Sequence, residues 1–162
     1  MASCEKIGED EVSGRTLLVL ELGGPGDMPG TLALDGRFVC LLAWDAADVS
    51  FTEVETVASK LLHDGCAYIC CWGSACERVH EAFDEADIAR SPEGPYVMST
   101  WHADDPLEEA LWFALFNAHP DPVFADSCRF TLAISIGRAD WAATMRSAMA
   151  NPRAFSQRLM ES

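Results

Sequence analysis

A chain of 162 residues, 49% hydrophobic and 23% charged, is long enough to bury a core as one domain and too apolar to be disordered. Its 26 acidic residues against 11 basic ones, a net charge of −15, repel phosphate and anionic lipid and so disfavour nucleic-acid and membrane partners. The same balance suits solubility, or a basic protein partner drawn in by charge.

Residues 1–14 (MASCEKIGEDEVSG) have no hydrophobic periodicity, no basic n-region and no apolar h-region. They read as a flexible acidic tail without a secretion signal, which makes the cytoplasm the expected location. No apolar run approaches the about 20 residues that span a bilayer. Seven cysteines in such a chain are expected to stay reduced, and an odd number cannot all pair internally. Most of them read as small buried hydrophobes.

RTLLVLEL (15–22) is a compact apolar run suited to a strand. GGPGDMPG (23–30) is glycine-rich, but no Lys or Ser/Thr follows and Asp27 would repel phosphate, so it reads as a turn. TLALDG (31–36) is a short strand or the arm of that turn. RFVCLLAW (37–44) is a near-continuous apolar run, as a strand buried on both faces requires. Ser50 and Glu53 form a capping box, and Phe51, Val54, Val57, Ala58, Leu61 and Leu62 recur at helical spacing up to the stop at Gly65.

The pattern repeats with CAYICCW (66–72), the break at Gly73, and a second S-x-x-E box, Ser74–Glu77, opening a helix to about Ile88. YVMSTWH (96–102) follows as a central strand. Asp105 as cap, Pro106 and Glu108 predict the third helix, 107–118. RFTLAISIG (129–137) is a further buried strand, and Asp140–Met149 and Pro152–Met160 predict two short helices. Alternating buried strands and amphipathic helices predict a single-domain α/β fold. Its form is a three-layer open sheet, mainly parallel, with four central strands, the N-terminal strand or strands on an edge, and helices on both faces. Within the domain, 15–162, the core is 37–137 and a C-terminal helical segment occupies 138–162.

Ligands in such sheets bind outside the carboxyl ends of the strands. Those ends carry Asp45, Trp72, Trp101, Asp105 and Arg138, which read either as a binding edge with aromatic walls or as tryptophans sealing the sheet. Cys76, early in its helix, sits where the dipole favours a thiolate, although Glu77 and Glu81 oppose it. His80 lies one turn on, so Cys76 and His80 are a nucleophile with its base, part of a metal site, or two core residues. Cys71 with Cys76, His80 and either His102 or Cys128 would make a zinc set, but the spacing lacks paired knuckles. His102, with Asp104, Asp105 or Asp45 to orient it, suits a general base for Cys71 or Cys76 in thiol-based hydrolysis. Its structural alternative is a bond to a loop carbonyl. No motif calls for a cofactor.

Helix 107–118 carries a second, aromatic stripe of Trp112, Phe113 and Phe116 besides its core stripe. That stripe packs beneath the C-terminal helices or forms a homodimer or partner interface.

The segments YICCWGSACERVHEAFDE, STWHADDPLEEALWF and TLAISIG together resemble an uncharacterised bacterial α/β domain family with W-G…C-E-R-V-H and T-W-H…E-A-L-W-F blocks. The resemblance covers about residues 37–137 and implies no activity. In size and acidity the chain is also similar to immunity proteins that neutralise toxins. The function expected from these features is a non-catalytic cytosolic binding module whose acidic surface engages a basic protein partner, such as a toxin or defence component. The alternatives are a Cys/His hydrolase and a zinc-bearing module.

Overall fold

A computed structural model describes residues 3–161. Residues 1 and 2 of the expected tail, and residue 162, lie outside the described residues. In chain order the elements are β1 (Glu5–Glu9), β2 (Thr16–Leu22), β3 (Arg37–Trp44), α1 (Phe51–His63), β4 (Cys66–Trp72), α2 (Cys76–Arg90), β5 (Met98–Trp101), α3 (Leu107–Phe116), α4 (Pro122–Ala125), β6 (Cys128–Ile136), α5 (Ala139–Ala150) and α6 (Pro152–Glu161). The strands form one sheet in the order β1-β2-β6-β3-β4-β5, parallel throughout except for β1 against β2.

Side chains alternate across each strand, so continuous apolar runs feed two cores. Leu18, Leu20, Cys40, Leu42, Ile69 and Cys71 face one core, which the inner faces of α1 and α2 complete. Leu17, Val19, Val39, Leu41, Tyr68 and Cys70 face the other, closed by α3, α5 and Phe155 of α6. The chain steps outward from β3 through β4 to β5, then returns past β3 to insert β6 beside it. The switch in strand order therefore falls between β3 and β6.

Three expectations need correction. Residues 5–9, read as part of an acidic tail, form an edge strand. The backbone of β1 pairs with β2, Ile7 packs on the second core, and Gly8 passes so close to Met149 that an added Cβ would lie 2.6 Å from its carbonyl oxygen. Arg146 clips this corner by bonding Glu5 and Glu21 at 3.2 and 2.9 Å. Of the two readings of 31–36, the strand does not form, and the Leu32 N–H donates to Asp64, which leaves the turn arm and needs no correction.

β5 is an edge strand of four residues rather than a central one, because β6 takes the place beside β3. Finally, only the first capping box forms. Ser50 Oγ accepts from the Glu53 N–H at 3.2 Å. At the second, Gly73 (φ +117°) turns against the Trp44 backbone and Ala75 adopts φ +58°, so α2 begins at Cys76 without a side-chain cap. Pro106 likewise occupies the cap position of α3, and the Asp105 carboxylate points elsewhere. The single-turn α4, capped by Asp121 through the Val123 N–H, is an element the sequence pattern did not reveal.

Candidate functional site

At the switch point the carboxyl ends of β3 and β6 carry Asp45 and Arg138 in each other's field. The groups there are already engaged. Asp45 accepts a hydrogen bond from the Ser74 N–H at 3.0 Å. Arg138 pairs with both oxygens of Asp140 at 2.9 and 2.8 Å and lies 4.8 Å over the Trp141 ring. This pairing holds the Asp140 carboxyl below its ordinary range. Trp72 meets Trp141 edge to face at 5.1 Å, and its indole N–H donates to the Asp105 carbonyl at 2.8 Å. Trp72 and Trp141 thus seal this part of the sheet beneath the loops, and Trp72 ties the β4 end to the loop before α3.

The structure does bring the chemically interesting groups of β4, α2 and β5 together. Cys71 pairs in register with Trp101, and the His102 N–H donates to the Cys71 carbonyl at 2.9 Å. Proximity, however, comes with burial. Cys71 and Cys76 are 1% and 3% exposed. Burial pushes both thiols up, in Cys76 against the lowering effect of the His102 N–H and the first N–H groups of its own helix. A helix start that would favour a thiolate in water is outweighed by desolvation.

His102 is equally committed. Its Nε2 shares a 2.9 Å hydrogen bond with the Thr100 hydroxyl, its Nδ1 faces Asp105 at 3.3 Å, and its ring packs on Phe113 at 4.9 Å. Asp105 is the oriented carboxylate, while Asp104 is exposed. With both ring nitrogens occupied and the side chain buried, His102 ties β5 to the start of α3. His80 Nε2 faces Asp84 at 3.4 Å, its ring lies 4.5 Å from that of Trp101, and its Nδ1 is buried without a hydrogen-bond partner.

Cys128 starts β6 at the amino end of the sheet, opposite Arg37 and away from the Cys71 end. Among the described residues no group of three or more His, Cys, Asp or Glu side chains is placed to hold a metal ion. The aromatic stripe of α3 finds partners within the chain. The Trp112 indole N–H donates to Ser156 of α6 at 3.0 Å, Phe116 packs on Trp112, and Phe113 covers Tyr68 and His102. This is the packing beneath the C-terminal helices that one of the two sequence readings anticipates. Clefts of about 440 and 510 Å³ border α6, one against α3 and α5 and the other against the β1–β2 turn.

What lies open is the outer side of α2 and β5. Ile88, Tyr96, Met98 and Trp101 are each about half exposed. The segment 76–105 around them holds eight acidic residues and two basic ones, a balance of −6 out of the chain's −15. Sequence reasoning singled out Trp101 here and missed Ile88, Tyr96 and Met98. The available signal was the polar Ser99 and Thr100 within YVMSTW, which a strand buried on both faces would not carry.

No helix of the described residues is long and apolar enough to cross a membrane. No curated protein matches the chain. A domain of unknown function (DUF7684) matches residues 18–152, five-sixths of the length, and the chain belongs to that family.

Proposed function

We propose that this chain is a non-catalytic protein-binding module whose acidic surface engages a basic protein partner. The observation that supports it most directly is the division of the molecule. The thiols and imidazoles that would carry chemistry are buried or bonded to their neighbours, while acid and exposed apolar side chains are concentrated on the α2–β5 side. Such a surface steers a basic partner during encounter and provides apolar area to hold it. A basic toxin or defence component is one kind of partner that fits. The hydrolase reading would need a thiolate open to substrate, and burial of Cys71 and Cys76 works against it.

The test is affinity capture from cell extract on immobilised wild-type chain and on a variant carrying Glu77→Gln, Glu81→Gln, Asp84→Asn and Glu85→Gln. The expected result is a basic protein retained by the wild type and released by about 0.5 M salt, where the screening length falls to a few ångströms. The neutralised variant should not retain it. Capture indifferent to both changes would sink the proposal, as would ester or thioester hydrolysis that Cys76→Ala abolishes.

A further inference from the structure

The two edges of the sheet are built differently. β1 carries Lys6, is interrupted by a bulge between Lys6 and Gly8, and is clipped by Arg146 of α5. These are the usual means of blocking strand addition. β5 has neither a lysine nor a proline between Met98 and Trp101, and no strand among the described residues pairs with its outer side. Because the His102 N–H points at β4, the alternation of an extended chain turns the backbone groups of Ser99 and Trp101 away from it. The Val97 N–H is already taken by the buried Asp87 carboxylate at 2.8 Å, which fixes where the open stretch begins.

Side chains frame that stretch. Of the eight large hydrophobics left exposed among the described residues, Ile88, Tyr96, Met98 and Trp101 lie here. Ser99 and Trp101 point to the α2 side, where Ser99 bonds Asp84 and Trp101 packs on His80. Met98 and Thr100 point to the other face, along with their partners Tyr68 and Cys70. The two nearby cations do little to neutralise the surrounding acid. Arg78 donates to the carbonyls of Ala46 and Val49 at 3.0 and 2.8 Å, and Arg90 lies in the field of Asp87.

We propose that β5 accepts an extended, lysine- or arginine-rich segment of a partner protein as a seventh strand. This rests on the protein-binding reading and adds the site and the mode. Backbone pairing to Ser99 and Trp101 supplies the attachment. Alternate side chains of the segment meet the carboxylates of α2 and the Trp101 ring on one face and Met98 on the other. A second copy of this chain is a poor occupant, since it would set one −15 surface against another.

The test uses three short probe peptides: alternating Lys and Val, alternating Lys and Pro of equal charge, and alternating Glu and Val. Amide hydrogen exchange and NMR shifts of the full chain are the readout. The Lys-Val peptide should slow exchange at Ser99 and Trp101 by about tenfold or more, while the Lys-Pro and Glu-Val peptides leave those amides unchanged. Ser99→Pro removes an outward N–H where an edge strand tolerates proline and should weaken Lys-Val binding by about tenfold. Ser99→Ala, which loses only the bond to Asp84, should bind as wild type does. If the Lys-Val and Lys-Pro peptides bind alike with no protection at Ser99 and Trp101, strand addition is overturned and the acidic-surface reading stands. If neither basic peptide binds, both fall. Protection of the same amides on self-association without peptide would replace the partner segment with a second copy.

Discussion

Raising the pH from about 8 to about 10 in reducing buffer should cost this protein a large part of its stability, because four of its thiols are fully buried. Cys40, Cys66, Cys70 and Cys71 all titrate above their ordinary 9.0, Cys70 being pushed up to about 12, and burial is the first cause in each. In the unfolded chain the same thiols ionise near 9. Above that pH the unfolded state sheds protons that the folded state keeps. The stability these thiols contribute is therefore complete below pH 9 and is lost as pH rises from there towards the folded values.

For one thiol the loss by pH 10 is RT ln 11, about 1.4 kcal/mol, and for four it is about 5–6 kcal/mol. A domain of this size has about 5–15 kcal/mol in total. The remaining thiols, Cys4, Cys76 and Cys128, are also raised by burial and add to the loss in the same direction, so the four buried thiols set its lower bound. Urea denaturation at the two pH values, with a phosphine reductant present, measures the difference. A Cys40→Ala variant should be less stable at both pH values but should lose about 1.4 kcal/mol less between them than the wild type does. A wild-type stability that changes by under about 1 kcal/mol between them would show that these thiols are accessible to ionisation in the folded state, and the sealed-core argument would fail.

Two further outcomes can be measured by the same denaturation assay. Ser50→Ala should cost about 1 kcal/mol through loss of a formed N-cap, whereas Ser74→Ala should fall within about 0.5 kcal/mol of wild type, since its side chain caps nothing; equal effects would contradict the assigned start of α2. His80→Phe keeps a ring beneath Trp101 and removes a buried nitrogen that lacks a partner, so stability should hold within about 1 kcal/mol or rise. A loss above about 2 kcal/mol would mean that His80 has an essential bond.

Apart from the single-turn α4, the strands and helices between 37 and 150 were legible because burial writes directly on composition. RFVCLLAW and CAYICCW are apolar on both faces, and Ser50 with Glu53 announces a helix by local hydrogen bonding alone. Ser74–Glu77 carries the same letters and fails, because Gly73 must turn against the Trp44 backbone of the adjacent strand β3, a constraint that nothing local in the sequence signals. β1 was hidden for the opposite reason. Its polar residues form a strand through backbone pairing to β2, and pairing leaves no mark on hydrophobic pattern.

The candidate site divides along the same line. Sequence identified Cys71, Cys76, His80 and His102 as chemically interesting and placed them at or just past strand ends, while which ends adjoin was decided by the fold. Whether a thiol becomes a nucleophile depends on desolvation, and that is set by α2 and β5 folding over Cys71 and Cys76. Sequence alone determined the α/β class, the two-faced burial of the inner strands and an acidic surface, all of which follow from local pattern and composition. Only the tertiary structure decided that β6 enters beside β3 and leaves β5 at the edge. Strand order depends on where the long β5–β6 crossover returns, a non-local choice made by packing, and it turns Trp101 and its neighbours from sheet interior into exposed surface.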